Sequence, residues 1–281
     1  MTFITPTSII NYVKSQSFQY FIPDWLLATF LICFFFIVEH SPPFQRQFSI
    51  TNLKISHPFS IDETITGPEC IIISTFIPLA IITLVILVKN YKNKYQSSHQ
   101  ALHILQISIL SLLISLSLSG VITDILKNWI ARHRPDFLSR CVPKIDTPRD
   151  ILVGIDVCTN PYGDRVLMDG MRSTPSGHSS ISFAGLGFLS IWLSGQFKLF
   201  KKGDTHYLYK YILVSFPIGF ASFIALSRTQ DYRHHFEDII IGTILGCIFA
   251  FWSYNHYFND LTSEKCETVI ENGGDDNFLP L

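Results

Sequence analysis

The stretch SRTQDYRHHFEDIIIGTILGCIFAFW, residues 227–252, joins a dense polar segment directly to a long apolar run. The apolar part continues to residue 257, which is enough to cross a bilayer, and hydrocarbon makes such a crossing helical. Titratable side chains at the start of a membrane helix cost free energy because they lie next to hydrocarbon, so the polar segment indicates a functional site. Taken alone, the same segment is also compatible with a solvated polar cap on a transmembrane helix.

Two residues of this polar segment, His234 and Asp238, are four positions apart. If the helix begins near His234, both side chains lie on one helical face. The carboxylate then holds one ring nitrogen and leaves the other as a nucleophile. His235 can reach Asp238 equally well, so spacing does not choose between the two histidines. Arg228 adds a fixed cation, and together these groups predict chemistry on an anion.

Composition places the chain among membrane proteins. Its 281 residues are 48% hydrophobic and only 15% charged, with 24 phenylalanines. A formal net charge of -1 leaves no spare basic surface, which argues against nucleic acid as a partner. The six cysteines include no CxxC pair, but Cys141 and Cys158 share one polar loop. They predict a disulfide if this loop faces an oxidising lumen, and two free thiols otherwise.

Six apolar runs predict an all-α integral membrane bundle of six transmembrane helices. The runs span residues 25–38, 71–88, 102–125, 180–193, 211–226 and 239–257. The N-terminal segment 1–24 shows no clean signal peptide, residues 25–258 form the bundle domain, and the acidic tail 259–281 is predicted to be disordered. Small residues four apart predict close helix packing in the third and sixth runs, at Ser111, Ser115 and Ser119 and at Gly242, Gly246 and Ala250.

With six spans, three polar clusters fall on the same membrane face. KNWIARHRP (127–135) follows the third run, TPSGHSS (174–180) precedes the fourth, and the segment 227–238 precedes the sixth. The short lysine-rich loops 89–100 and 196–210 are typical of the cytoplasmic side, although the long loop 126–175 is also basic. We therefore expect an active site at the lumenal or extracellular membrane interface, with both termini in the cytosol.

Each cluster offers groups that suit a phosphate. Cations can surround its non-bridging oxygens, and a histidine can donate a proton near neutral pH. These side chains are Lys127, Arg134, Arg228 and His178. Ser176 and Gly177 lie where the fourth helix starts, so backbone N–H groups and the helix dipole favour an anion there. Singly, each group also has a structural explanation, as an interfacial anchor, a turn or an N-cap.

The residues and their spacing within the three clusters match a known three-part sequence signature at every position. It reads K-x6-RP at 127–135, PSGH at 175–178 and SR-x5-H-x3-D at 227–238. In this form the chain resembles the type 2 phosphatidic acid phosphatase superfamily. Residues 43–257 are similar to the fungal diacylglycerol pyrophosphate and lipid phosphate phosphatases, above all in RPDFLSRC, STPSGHSSISFAGLGF and ALSRTQDYRHHFEDIIIG.

The resemblance implies a phosphatase mechanism that needs no metal or other cofactor. His234, chosen over His235 by the family spacing, would attack phosphorus, Asp238 would orient it, and His178 would protonate the leaving oxygen. The phosphate-binding residues would be Lys127, Arg134, Ser176, Gly177 and Arg228. The implied substrates are diacylglycerol pyrophosphate, phosphatidate and lysophosphatidate, presented by the bilayer of a vacuolar or Golgi membrane.

Two alternatives remain at this stage. Vanadium haloperoxidases share the three motifs but lack a membrane bundle of this kind. A non-catalytic lipid-binding or phosphate-transport protein would fit six helices and a basic pocket, but it would not require the two histidines and Asp238 in register.

Overall fold

The computed structural model describes residues 4–201 and 207–270, which fold into helices and loops with no β-strand among the described residues. The α-helices are α1 (Pro6–Val13), α2 (Gln16–Gln19), α3 (Ile22–Glu39), α4 (Gly67–Tyr91), α5 (Ser98–Ile130), α6 (Phe137–Cys141), α7 (Asp164–Asp169), α8 (Gly177–Ser182), α9 (Phe188–Gln196), α10 (Leu208–Gln230) and α11 (Phe236–Tyr257). A π-helical turn, Phe183–Gly187, joins α8 to α9, and two short 3-10 turns lie in the loops at Leu53–Ile55 and Ile155–Val157.

Five helical segments of the described chain are long and apolar enough to cross a membrane. They are α2 with α3, then α4, α5, α10 and α11. The predicted fourth span differs, because α8, the π-helical turn and α9 follow one another without interruption from 177 to 196. The all-helical class is thus confirmed. The count of six spans stays a prediction, because it requires residues 177–196 to cross the membrane as well.

Helix α5 is the centre of the bundle. Of its apolar window 67% is buried inside the protein, against 17% for the α2–α3 segment and 22% for α4. The serines predicted to allow close packing do so: Ser115 Oγ donates to Ala184 O at 2.9 Å and Ser119 Oγ to Ser180 O at 3.2 Å. On α11, a Cβ added to Gly246 would lie only 2.4 Å from the same Ser180 oxygen, so only glycine permits this approach.

The long loop between α5 and α8 folds into a cap over one end of the bundle. Cys141 and Cys158 form a disulfide, as the sequence predicts for an oxidising compartment. Beneath it Phe137 packs fully buried against Phe48, with ring centroids 4.8 Å apart. Arg140 is also buried, because its guanidinium is matched by carboxylates of the same cap. The cap therefore holds its charged residues on a rigid base.

Residues 259–270, the first part of the tail that is predicted to be disordered, pack against the bundle in the structure. Cys266 is fully buried, and Glu267 lies 2.8 Å from Lys89 Nζ and 2.9 Å from Lys198 Nζ. These ion pairs offset the acidic character on which the prediction rested. The remaining part of the predicted tail, 271–281, lies outside the described residues.

Candidate active site

The three polar clusters meet at one end of the bundle, as the parity of the spans predicts. The backbone N–H of Ser176 donates to Asp238 O at 3.0 Å, which ties the start of α8 to the start of α11. A Cβ added to Gly177 would lie 2.8 Å from Lys127 Nζ, so the last turn of α5 reaches the same point. The loop that follows α5 brings Arg134 to this place, and the last turn of α10 brings Arg228.

His234 is the most enclosed histidine of the site. Only 4% of it is exposed, and its Nδ1 lies 2.7 Å from the main-chain oxygen of Ser173. A carbonyl only accepts, so Nδ1 carries the proton and the neutral ring keeps a lone pair on Nε2. Burial, and next the charge of Arg134, hold the pKa of His234 well below its usual range. The ring is therefore neutral near pH 7, as a nucleophile must be.

Helix α11 begins later than predicted. Its first residue is Phe236 and His235 is its N-cap, so His234 precedes the helix and does not share a helical face with Asp238. Asp238 Oδ2 is 3.9 Å from His234 Nδ1, which is too long for a hydrogen bond. It instead accepts from the backbone N–H of His235 at 3.0 Å and lies 3.2 Å from His235 Nδ1. The predicted direct bond to the His234 ring is not formed.

Asp238 is linked to His234 by hydrogen bonds through Ser173, a residue that the sequence analysis did not single out. Its carboxylate is fully buried and accepts from Ser173 Oγ at 2.5 Å, from Thr174 Oγ1 and from Arg132 Nη1 at 2.8 Å. Ser173 thus binds Asp238 with its side chain and His234 with its main-chain oxygen. Ser173 and Thr174 directly precede the PSGH motif, and that proximity is the signal that could have found them.

Arg134, in the loop after α5, has a buried N–H group without a partner within the described chain. Its Nη2 lies 2.7 Å from Asp169 Oδ1, while its buried Nε has no hydrogen-bond partner among the described residues. Burial alone would raise the pKa of Asp169, but the charges of Arg134 and Arg140 outweigh it and hold that pKa well below its usual range. Asp169 therefore stays ionised and fixes the guanidinium, leaving Nε–H available for an anion.

Arg228 is completely buried at the end of α10. Its guanidinium donates to Glu63 at 2.7 Å, to Asp231 at 2.7 Å and twice to Ser227 Oγ, at 3.1 and 3.0 Å. A guanidinium has about five N–H donors, so these bonds fix its orientation and leave one donor over. The prediction that Arg228 is a fixed cation agrees with this geometry.

The start of α8 carries the remaining predicted groups. Ser176 is the N-cap, and its Oγ accepts from the backbone N–H of Ser179. His178 Nε2 lies 3.0 Å from Ile65 O and donates to it, and the charges of Arg228 and Lys127 are within electrostatic range of this ring. Ile65 precedes α4 in a loop that no sequence motif marks.

The described side chains of the site do not form a cluster of metal ligands. Within residues 4–201 and 207–270, no group of three or more His, Cys, Asp or Glu side chains could hold a metal ion. Two cations, Arg134 and Lys127, are within electrostatic range of His234 together with the carboxylate of Asp238, and these cations suit the binding of an oxyanion by the protein's own charges.

Comparison with known proteins gives matches over most of the chain. Residues 108–261 match the model of the PAP2 superfamily. The "Probable diacylglycerol pyrophosphate phosphatase 1" of Schizosaccharomyces pombe is 40% identical over 227 residues, 81% of this chain and 77% of that protein. The "Diacylglycerol pyrophosphate phosphatase 1" of Saccharomyces cerevisiae is 40% identical over 236 residues, 84% of this chain and 78% of that protein.

A plant relative extends the comparison. The "Lipid phosphate phosphatase 2" of Arabidopsis thaliana is 34% identical over 239 residues, 84% of this chain and 76% of that protein. No solved structure matches the chain. The matched region contains all three motifs, and two relatives at 40% identity span more than four fifths of the chain. The chain belongs to the PAP2 superfamily.

Proposed function

We propose that this protein is a lipid phosphate phosphatase that converts diacylglycerol pyrophosphate to phosphatidate and phosphatidate to diacylglycerol. The observation that carries the proposal is the state of His234, a buried neutral imidazole whose Nε2 is unprotonated and which lies among cations. The names of the fungal and plant relatives support the same class of substrate, and lysophosphatidate fits the same chemistry.

In the first step Nε2 of His234 attacks phosphorus, and the bond to the leaving oxygen breaks as the P–N bond forms. His178, protonated on both ring nitrogens when the substrate is bound, gives its Nδ1 proton to the leaving oxygen and keeps its Nε2–H on Ile65 O. In the second step water attacks the phosphohistidine, its proton passes to His178, and inorganic phosphate leaves His234 as it was. Asp238 holds Ser173, and the main-chain oxygen of Ser173 keeps the attacking ring in the required tautomer.

Charge on the transferring phosphoryl group is stabilised by fixed donors on three sides. Arginine and lysine side chains supply the charge, and the N–H groups at the start of α8 supply further hydrogen bonds. The residues in this role are Lys127, Arg134, Ser176, Gly177 and Arg228. Because these cations neutralise the phosphate, we propose that the reaction needs no Mg²⁺.

The orientation of the bundle in the membrane can be proposed from the end at which the candidate site lies. We propose that residues 177–196 form the fourth span in chain order, which completes six crossings with the five long helical segments. The site then opens at the lumenal interface and both termini lie in the cytosol. The Cys141–Cys158 disulfide in the adjoining cap supports an oxidising lumen, such as that of the vacuole or Golgi. A lipid can then present its headgroup to the site while its acyl chains stay in the leaflet.

The deciding experiment is release of inorganic phosphate from phosphatidate by purified protein in mixed micelles that contain EDTA. We expect turnover, an acid-labile phosphoenzyme, and loss of both in His234→Ala, because the attacking nitrogen is gone. His235→Ala is the comparison, since the two ring nitrogens of His235 lie 3.2 Å from Asp238 Oδ2 and 3.3 Å from Lys54 O, so neither is placed to attack phosphorus. Activity that survives in His234→Ala but not in His235→Ala would contradict the assignment. No phosphate release at all would favour a non-catalytic lipid-binding or transport protein.

A further inference from the structure

A cavity of about 770 Å³ lies at the opposite end of the bundle from the candidate active site. It is bordered by the end of α4, the end of α9 and the start of α10. The candidate site adjoins the other ends of these helices, since Ile65 precedes α4, His178 opens α8 and Arg228 ends α10. Helix α4 has 25 residues, or about 37 Å at about 1.5 Å per residue, so the two sites are separated by the membrane thickness.

Positive charge dominates the lining of this cavity. Among the described residues that line it, five lysines and one glutamate sum to a formal charge of +4: Lys89, Lys92, Lys94, Lys198 and Lys210 against Glu267. Lys89 and Lys198 both pair with Glu267, and their hydrogen bonds anchor segment 259–270. The other three form no ion pair with any residue that the structure describes, although each lines the same space. Gathering like charges in one cavity is unfavourable unless an anion occupies it.

Tyr95 provides an independent sign of a ligand. It is only 8% exposed, it lines the cavity, and its hydroxyl has no hydrogen-bond partner within the described chain. A buried hydroxyl without a partner costs free energy, so such groups are rare unless something binds them. A phosphate oxygen is an acceptor that both this hydroxyl and the neighbouring lysines can bind.

The wall of the cavity that α4 forms before Lys89 is apolar and faces the outside of the bundle. Leu84 and Val88 of α4 line it and are 61% and 42% exposed on the outside of the bundle, where lipid lies. A soluble anion would gain nothing from this wall, whereas a lipid can place its acyl chains along it. We propose that the cavity binds the phosphorylated headgroup of an anionic phospholipid from the leaflet opposite to the candidate active site. Basic pockets between membrane helices are suited to such headgroups.

The proposal is tested by native mass spectrometry of the full-length protein in dodecyl maltoside with phosphatidylinositol 4-phosphate. The His234→Ala background prevents any consumption of the lipid, and the measurement does not depend on the proposed activity. We expect Lys92→Gln/Lys210→Gln to weaken binding of one lipid about 25-fold, since each lysine near an anionic group contributes about a factor of five. Lys14→Gln/Lys265→Gln is the matched control, because it removes the same charge from exposed lysines outside the cavity.

Tyr95→Phe gives the sharper test because it removes only the unpartnered hydroxyl. We expect affinity to fall about tenfold while the thermal midpoint of the unliganded protein does not fall, since no bond is lost without ligand. Equal losses in the two lysine double variants would show diffuse attraction and overturn the proposal, as would unchanged affinity in Tyr95→Phe. Inositol 1,4-bisphosphate is the soluble arm. If it binds as tightly as the lipid, the apolar wall has no role and the assignment to a lipid is overturned.

Discussion

Gly177→Ala separates phosphate binding from folding, because the added methyl group meets a single flexible neighbour. A Cβ at this position would lie 2.8 Å from Lys127 Nζ and 3.6 Å from its Cε, with no other heavy atom within 4 Å. To restore an ordinary contact of 3.4 Å, the ammonium group must move by about 0.6 Å, and Asp124 Oδ1, 3.4 Å away, offers it another partner. Misplacement of a binding group by about 1 Å can cost about 100-fold in rate. We therefore expect kcat/KM to fall about 10- to 100-fold.

The fold should tolerate this substitution. Gly177 is the first residue of α8, and alanine in a helix is favoured over glycine by up to about 1 kcal/mol. Gly67→Ala is the matched control, because Gly67 also opens a helix after a hydroxyl N-cap, Thr66 in place of Ser176, and a Cβ there meets nothing within 4 Å. The assay is phosphate release from phosphatidate in mixed micelles, alongside thermal unfolding of both variants in detergent.

Two outcomes would refute the reasoning. Full activity in Gly177→Ala would mean that the position of Lys127 Nζ does not matter to the transition state. Equal loss of activity in Gly67→Ala would mean that the effect comes from the helix starts in general. A drop in the thermal midpoint of Gly177→Ala would show that the contact with Lys127 is rigid, and the kinetic comparison would then have to be made at matched folded fraction.

Three further predictions rest on other parts of the protein. His178→Ala should lower kcat/KM for phosphatidate by about 10²- to 10⁴-fold but far less for diacylglycerol pyrophosphate, whose leaving group is already a stable anion; equal losses would assign the proton donor elsewhere. Burial lowers the pKa of His133 to about 4, so the unfolded chain takes up a proton below about pH 6.5 that the folded chain does not. Thermal unfolding should therefore show about 2 kcal/mol less stability at pH 5 than at pH 7 from this residue, and His133→Asn should lose that part of the acid sensitivity. Replacing Cys141 and Cys158 by serine opens a loop of 17 residues, which should cost about 3 kcal/mol, and alkylation of both thiols in unreduced wild-type protein would contradict the disulfide.

The sequence predicted the convergence of the site because the order of spans determines which polar ends share a membrane face. It also predicted the close helix contacts at Ser115, Ser119 and Gly246, since small residues at a four-residue spacing have few other uses in hydrocarbon. Both inferences depend on repeated patterns rather than on single side chains. The division of the fourth predicted span into α8, a π-helical turn and α9 could not be predicted, because the turn at Phe183–Gly187 does not change the hydropathy of the sequence.

The start of α11 was misplaced because two local rules compete for Asp238. The i,i+4 spacing favours a pair with His234, whereas the third position of a helix favours a carboxylate that caps the N-cap backbone. The second rule prevails, since Asp238 accepts from the N–H of His235. The link from Ser173 to His234 runs through a main-chain oxygen, which every residue has, so only the position of Ser173 beside the PSGH motif could have pointed to it.

Pinning α8 to α11 explains how a site made from distant motifs keeps a fixed geometry. A Cβ added to Gly242 would lie 2.5 Å from Ser176 O, so the helix that follows His234 touches the N-cap of the helix that carries His178. The bond from Ser176 N to Asp238 O closes the same contact from the other side. The two histidines therefore start from helix ends that cannot slide past each other. In the proposed mechanism, a phosphoryl group bound between them would meet donors that are already in place, and little reorganisation would remain during the reaction.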